Sequence, residues 1–356
     1  MKMKVLLLNP YIPDYRVYIF NLLAEKVDLT VAHSGKIHNE KNLNFNHIQI
    51  PKIVLGPFSF NPINLHNLCN NYDIIISDGD IRYIDRNILI LNPYRKYKWI
   101  NWGIGVSASY DKKFDENKRW DFIRHFIFKK ADAQVFYSDY PIKKYLKAGF
   151  KPSSLFVANN TTYVRYDENK KFNKYKLLFI GTLYKQKNLN ELLDAYSRYY
   201  KLSSDFLPLE IIGEGPEYKN ILQWIDNNNL NSKIKLHGPI YDHEILEKHF
   251  RESFACISPG QAGLSVLTSM GYGTPFITKK DAITGGEIFN IISNCNGILY
   301  NKNAELIDIL MDIELNPFKY IKMGQNARNF YLNNRTPEQM VKGLIDACMY
   351  VCNKTK

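Results

Sequence analysis

The residues best suited to chemistry stand in two glycine-bounded stretches of the second half of the chain. The first reads Gly181-Thr182-Leu183-Tyr184-Lys185-Gln186-Lys187-Asn188, between an apolar run at 175–180 and an amphipathic helical pattern that continues to Tyr200. Lysines ahead of a helix are commonly solvated, yet a cation on a glycine turn beside a helix start is also where a pyrophosphate needs one. Lys187 is the candidate phosphate ligand, Lys185 a second cation beside it, and Gly181 and Thr182 form the turn. The second stretch is 254–287. An apolar run to Ile257 stops at Ser258-Pro259-Gly260, and a small-residue loop of Gly260, Gln261, Ala262 and Gly263 follows. Leu264, Leu267 and Met270 then share one helical face. Strand, glycine loop and helix start aim unpaired N–H groups and a positive dipole end at one place, which holds phosphate; the same turn also serves packing alone in doubly wound domains. Thr268 adds a hydroxyl, and Glu287, after Gly285-Gly286, adds a carboxylate.

The first half offers a second set. Pro13-Asp14-Tyr15-Arg16 precedes a helical pattern with Ile19, Phe20, Leu22 and Leu23 on one face. That puts Tyr15 and Arg16 in the loop after the first strand, where α/β proteins bind ligands; the alternative is a solvated surface cation. In Trp102-Gly103-Ile104-Gly105-Val106-Ser107, Gly103, Ile104 and Gly105 offer shape and backbone hydrogen bonds, with hydroxyls from Ser107 and Ser109. Ile104 cannot titrate and so cannot act as acid or base. Asp78-Gly79-Asp80 could bind a metal or sugar hydroxyls, but Asp-Gly is a strong turn signal and a turn is the preferred reading. His237 likewise reads as a turn residue.

A length of 356 residues allows two domains, and 45% hydrophobic residues suffice for two cores. Short apolar runs at 4–8, 28–32, 72–77, 87–91, 99–101, 131–138 and 155–158, with helical patterns between them, predict a parallel sheet covered by helices. After a polar linker at 163–174, runs at 175–180, 209–212, 234–236, 254–257, 274–278 and 297–300 predict a second sheet. The expected division is 1–165, 175–335 and a last helical segment, 336–356. The net charge of +12 suits a phosphate-bearing substrate, an anionic membrane surface or nucleic acid. The lysines are dispersed, a solvated basic surface reads equally well, and no aromatic-plus-basic segment argues for nucleic acid. Five scattered cysteines without a C-x-x-C pair indicate reduced thiols in a cytoplasm and no zinc site. The opening MKMKVLLLNP reads as a first strand rather than a signal peptide, and no run reaches membrane-span length.

These words, in this order, resemble the retaining GT-B-fold glycosyltransferases, particularly glycosyltransferase family 4. Gly263-Leu264, Met270, Gly273, Pro275 and Ile277 fit that family's donor signature. Its two acids fall on Gly260 and Thr268, and its usual Trp-Gly-His-Gly His falls on Ile104. At the family's Gly-Arg-Leu…Lys word, Lys187 matches the Lys and Thr182 takes the Arg position. The resemblance implies two Rossmann-like domains with an interdomain cleft, the first for acceptor and the second for nucleotide sugar, and a final helix crossing back to the first domain. It implies sugar transfer with retention and without a cofactor or metal ion. Lys187 and Glu287 would be catalytic. Gly181, Thr182, Lys185, Gly260, Gln261, Ala262, Gly263, Leu264 and Thr268 would join them around the donor, with Tyr15, Arg16, Gly103, Ile104 and Gly105 at the acceptor. Relatives of this type build O-antigen, capsule or other surface polysaccharide on lipid-linked acceptors, which implies a cytoplasmic chain with peripheral contact at the anionic inner membrane face. With three family positions altered, the alternative is an inactive GT-B protein that binds a nucleotide sugar or a partner glycosyltransferase.

Overall fold

The computed structural model describes residues 2–37, 42–108, 114–116 and 119–353; Ser109 lies outside them. The chain divides into two compact units, one of Met1–Ser107, Asp115–Tyr163 and Thr336–Lys356, the other of Ala108–Phe114 and Val164–Arg335.

The first unit opens with β1 (Lys4–Leu8), α1 (Asp14–Lys26), β2 (Asp28–His33) and β3 (Asn46–Gln49). A hairpin of β4 (Ile53–Leu55) and β5 (Phe58–Phe60) follows, then α2 (Leu65–Cys69), β6 (Ile74–Asp78), α3 (Ile84–Leu91) and β7 (Lys98–Gly103). It continues through α4 (Asp121–Phe128), β8 (Ala133–Phe136), α5 (Ile142–Lys147) and β9 (Leu155–Val157). Seven strands form one parallel sheet in the order β3-β2-β1-β6-β7-β8-β9. The central strands read as unbroken apolar runs because helices cover both faces: Val5, Leu6, Leu7, Ile74, Ile75 and Ile76 are all buried.

The second unit holds β10 (Lys176–Ile180), α6 (Leu189–Leu202), β11 (Leu209–Ile212), α7 (Tyr218–Asn227), β12 (Ile234–His237), α8 (His243–Arg251) and β13 (Ser253–Ile257). Then come β14 (Gln261–Ala262), α9 (Ser265–Gly271), β15 (Phe276–Lys279), β16 (Ile283–Thr284), β17 (Gly297–Tyr300), α10 (Asn303–Leu315) and α11 (Pro317–Asn334). Its parallel sheet runs β12-β11-β10-β13-β15-β17, while β14 and β16 pair separately. The last helix, α12 (Pro337–Asn353), packs on α1, β7, β8 and β9 of the first unit, burying Met340, Leu344 and Cys348.

Two expectations change. The run at 87–91, read as a strand, belongs to α3, because its neighbours on the sheet are already made by β6 and β7. Helix α1 begins at Asp14, so Tyr15 and Arg16 lie in its first turn rather than in a loop. No helix among the described residues is long and apolar enough to cross a membrane.

Candidate functional site

In each sheet the strand order reverses direction at one point, between β1 and β6 in the first unit and between β10 and β13 in the second. Loops diverge there at the carboxyl ends of the strands, which is where open α/β sheets leave room for a ligand. In the second unit the two loops are the predicted ones, 181–188 after β10 and 258–264 after β13.

Lys187 closes a 3-10 turn, Lys185–Lys187, and its side chain folds back over the end of β10. A Cβ built on Gly181 would lie 3.2 Å from its Nζ, so the glycine is the floor on which the ammonium rests. Lys187 is 6% exposed. Burial lowers its pKa from the ordinary 10.5 to about 8, against weaker opposing pulls from Cys256 and Glu287. Among the described residues it makes no ion pair, and the Tyr184 ring, 5.9 Å away, is its aromatic neighbour. A buried ammonium without a carboxylate is expensive unless an anion completes it. The Lys185 side chain is exposed at the start of the same turn, as is Thr182, so Thr182 leaves the family's Arg position without a cation.

The Gly260 loop is held against that turn rather than open to a ligand. The Gly260 N–H donates to the Lys187 carbonyl at 3.0 Å, and its own carbonyl accepts from the Ile283 N–H at 2.9 Å. A Cβ on Gly260 would sit 2.2 Å from the Gln186 carbonyl oxygen and 2.8 Å from the Lys187 carbonyl carbon. The glycine is therefore required by the packing of two backbone segments, and no acidic side chain fits there without moving the lysine turn. Ala262 is fully buried and reaches a ligand through its backbone only. The Tyr184 hydroxyl donates to Gln261 Oε1. At Gly263 a side chain would meet open space, and Leu264 leads into α9. Thr268 spends its hydroxyl on the Leu264 carbonyl at 3.1 Å. One group escaped the sequence reading: the Ser265 hydroxyl in the first turn of α9 is buried without a hydrogen-bond partner. Only a serine next to the loop signalled it. Glu287 is buried; its carboxylate accepts from the Gly285 N–H at 2.9 Å and the Thr284 hydroxyl at 3.3 Å. The structure thus gathers Gly181, Lys187, Gly260, Gln261 and, at longer range, Glu287.

In the first unit, four distant words meet on Arg16. Its guanidinium lies 5.3 Å from the ring centroids of Tyr15 and Tyr137 and 5.4 Å from that of Trp102. One terminal nitrogen donates to Asn160 Oδ1 at 2.5 Å, the other to Met340 Sδ at 3.2 Å. Arg16 is 5% exposed, so it is not the solvated cation of the alternative reading, and it forms no ion pair with a carboxylate among the described residues. Gly103 ends β7, where its carbonyl accepts from the Tyr137 N–H at 3.0 Å. Gly105 has φ +77°, and a Cβ there would meet the Phe136 ring at 2.6 Å, so chain packing accounts for it. Ile104 is half-buried between them, and the Ser107 hydroxyl is buried without a hydrogen-bond partner. Asp80 does what a turn residue does, accepting from Arg82.

One group of side chains among the described residues has metal-ligand spacing: Glu210, His237 and His249. An ammonium already stands among them. Lys176 Nζ is 2.8 Å from Glu210 Oε2, 2.9 Å from Glu252 Oε2 and 3.4 Å from His249 Nδ1. Burial raises the Glu210 carboxyl, but hydrogen bonds from His249 and Lys176 outweigh it and hold the pKa at about 2. The cluster is an ion-pair network built around Lys176.

Two doubly wound parallel sheets, with a buried lysine at the switch point of the second, make up a GT-B architecture. Residues 163–330 match the family model of glycosyl transferases group 1. The alpha-monoglucosyldiacylglycerol synthase of Acholeplasma laidlawii is 24% identical over 192 residues, 52% of this chain and 45% of that protein. The chain spans less than half the length of the curated relatives it matches. Among solved structures, Anabaena HepE in complex with UDP superposes with a TM-score of 0.74 at 14% identity, covering 98% of this chain and 100% of that one. The pneumococcal O-GlcNAc transferase GtfA, in complex with UDP and GlcNAc, gives a TM-score of 0.70 at 11% identity and covers 99% of both chains. At such identities the likeness establishes the GT-B fold.

Proposed function

We propose that the chain is a retaining, metal-independent glycosyltransferase that moves a sugar from a UDP- or GDP-sugar to a glycan hydroxyl. The observation that carries the reading is the buried ammonium of Lys187 on the Gly181 turn, which makes no ion pair among the described residues. When the bond from the anomeric carbon to the diphosphate breaks, negative charge grows on the departing phosphate oxygens. An ammonium already desolvated and in place stabilises that charge without reorganisation. Lys185, the N–H groups of Gly263 and Leu264, and the Ser265 hydroxyl add donors around it. Glu287, fixed by Gly285 and Thr284, is assigned to the sugar. Arg16, Tyr15, Gly103 and Ile104 are assigned to the acceptor, and because Ile104 carries no proton, the acceptor's proton leaves to the departing phosphate or to Glu287. Nucleotides of the two superposed structures and the name of the glucolipid-synthase relative support UDP and a lipid-borne acceptor. A surface polysaccharide of O-antigen or capsule type, assembled at the inner membrane face, fits that pairing.

Gly260 favours a second reading. Since no carboxylate fits there, the chain could bind a nucleotide sugar without transferring it. Incubation with UDP- and GDP-hexoses separates the two. Release of nucleoside diphosphate, with the freed or transferred sugar first appearing by NMR in the donor's anomeric configuration, is the expected result. Binding without any release supports the second reading, and inversion contradicts retention.

A further inference from the structure

Many of the exposed large apolar residues of the first unit stand on three elements that touch in series. The β4–β5 hairpin packs on α3, and α3 packs on α4. On the hairpin, Val54 and Leu55 face outward. On α3 the outward residues are Ile84, Ile88 and Leu91, spaced as one helical stripe. On α4, Phe122 is 80% and Phe126 58% exposed, one turn apart. Scattered exposed apolar residues need no explanation, but such residues grouped on three elements in contact mark a surface that something covers.

Charge selects the occupant. Exposed cations stand at the ends of each element: Lys52 before β4, Arg82 before α3, Arg119 before α4, and Lys129 and Lys130 after it. Of the acids nearby, Asp80 pairs with Arg82 and Asp121 with Arg124 and Lys144, while Asp85 of α3 accepts from the Asn61 N–H. The segment 119–130 also corrects the sequence reading, because it does join aromatic and basic residues. Aromatic side chains beside a rim of exposed cations match a surface that is apolar at depth and anionic at its rim.

We propose that this face of β4–β5, α3 and α4 docks on an anionic lipid bilayer, with Phe122 and Phe126 inserted below the headgroups and the flanking cations at the phosphates. The proposal deepens the membrane-acceptor reading and rests on it for its purpose, while its test needs no turnover. Full-length protein is pelleted with phosphatidylcholine vesicles and with phosphatidylcholine–phosphatidylglycerol vesicles, and the emission of exposed Trp120 is followed. The expected result is binding to the anionic vesicles with a blue shift. Phe122→Ala/Phe126→Ala should lose at least about tenfold in affinity for each ring removed. Lys129→Ala/Lys130→Ala should bind more weakly and with less salt dependence. Phe318→Ala, at an 82% exposed site of the second unit, should behave as wild type. Stabilisation by UDP should persist in the phenylalanine variant; its absence in every form would overturn the donor site and leave this proposal standing. No vesicle binding, or binding indifferent to Phe122 and Phe126, overturns it. So does a dimer that the same variant dissolves, because the face would then belong to a second copy.

Discussion

Replacing Lys187 by methionine should make the unliganded protein more stable and its complex with a nucleotide weaker. Burial takes this ammonium from an ordinary pKa of 10.5 to about 8. At about 1.36 kcal/mol per pH unit, that depression is a cost of about 3 kcal/mol carried by the charged, folded state. A folded-state pKa below the unfolded one means the cost is fully present below about pH 8 and is relieved as pH rises towards 10.5. Methionine has a similar volume and no charge, so Lys187→Met should stabilise by about 1–3 kcal/mol at pH 7, after allowing for imperfect packing. In a unit of this size that is several degrees in melting temperature, at roughly 2–4 °C per kcal/mol. The gain should shrink by pH 10, where the wild-type lysine is neutral. UDP binding should fall roughly 10- to 150-fold, the worth of a charge-assisted hydrogen bond of about 1.5–3 kcal/mol. Calorimetric unfolding with and without UDP reads both effects. A variant less stable than wild type that still binds UDP would refute the reasoning.

Three more outcomes follow from the same geometry. UDP affinity should be level below pH 8 and fall about tenfold per pH unit above it, because the free site must first take up a proton at Lys187; titration calorimetry from pH 6 to 10 (roughly the range that brackets the shift) checks it, and a flat profile counts against it. Gly260→Glu, which restores the family's acid, should destabilise by about 1–3 kcal/mol and bring no activity, since its Cβ starts 2.2 Å from the Gln186 carbonyl; a stable, more active variant would show that the turn moves aside. Arg16→Gln should cut transfer at least about tenfold while leaving UDP stabilisation unchanged, as expected of a group that holds the acceptor through charge-assisted bonds; initial rates decide, and an unaffected rate removes Arg16 from the site.

The sheets were legible because their strands are buried on both faces: KVLLL, KLLFI and SFACI admit little else once glycine turns bound them. Helix α3 was not legible for a related reason. In NILIL the buried Leu89 and Ile90 are flanked by Ile88 and Leu91, which face outward and are apolar too, so no polar face betrays the helical period. The lysine turn could be found from Gly181 and Lys187 because their contact is local in sequence. That Gly260 is locked by the backbone of Gln186 could not be found, because it depends on how two loops separated by a whole βαβ array come together. The same is true of Arg16, whose partners Trp102, Tyr137, Asn160 and Met340 come from four separate segments. The Lys176 network was hidden for that reason too, since Glu210, His249 and Glu252 converge only when β10, β11 and α8 pack.

In the proposed function, Lys187 and the Gly181 turn hold the diphosphate of a sugar nucleotide without a metal ion. The measurement that meets it most directly is thermal stabilisation by UDP, GDP, dTDP and CMP, each with EDTA, in wild type and in Lys187→Met. UDP or GDP should raise the melting temperature of the wild type in EDTA and leave the variant unmoved. No shift with any nucleotide, or a shift that EDTA abolishes, would contradict it.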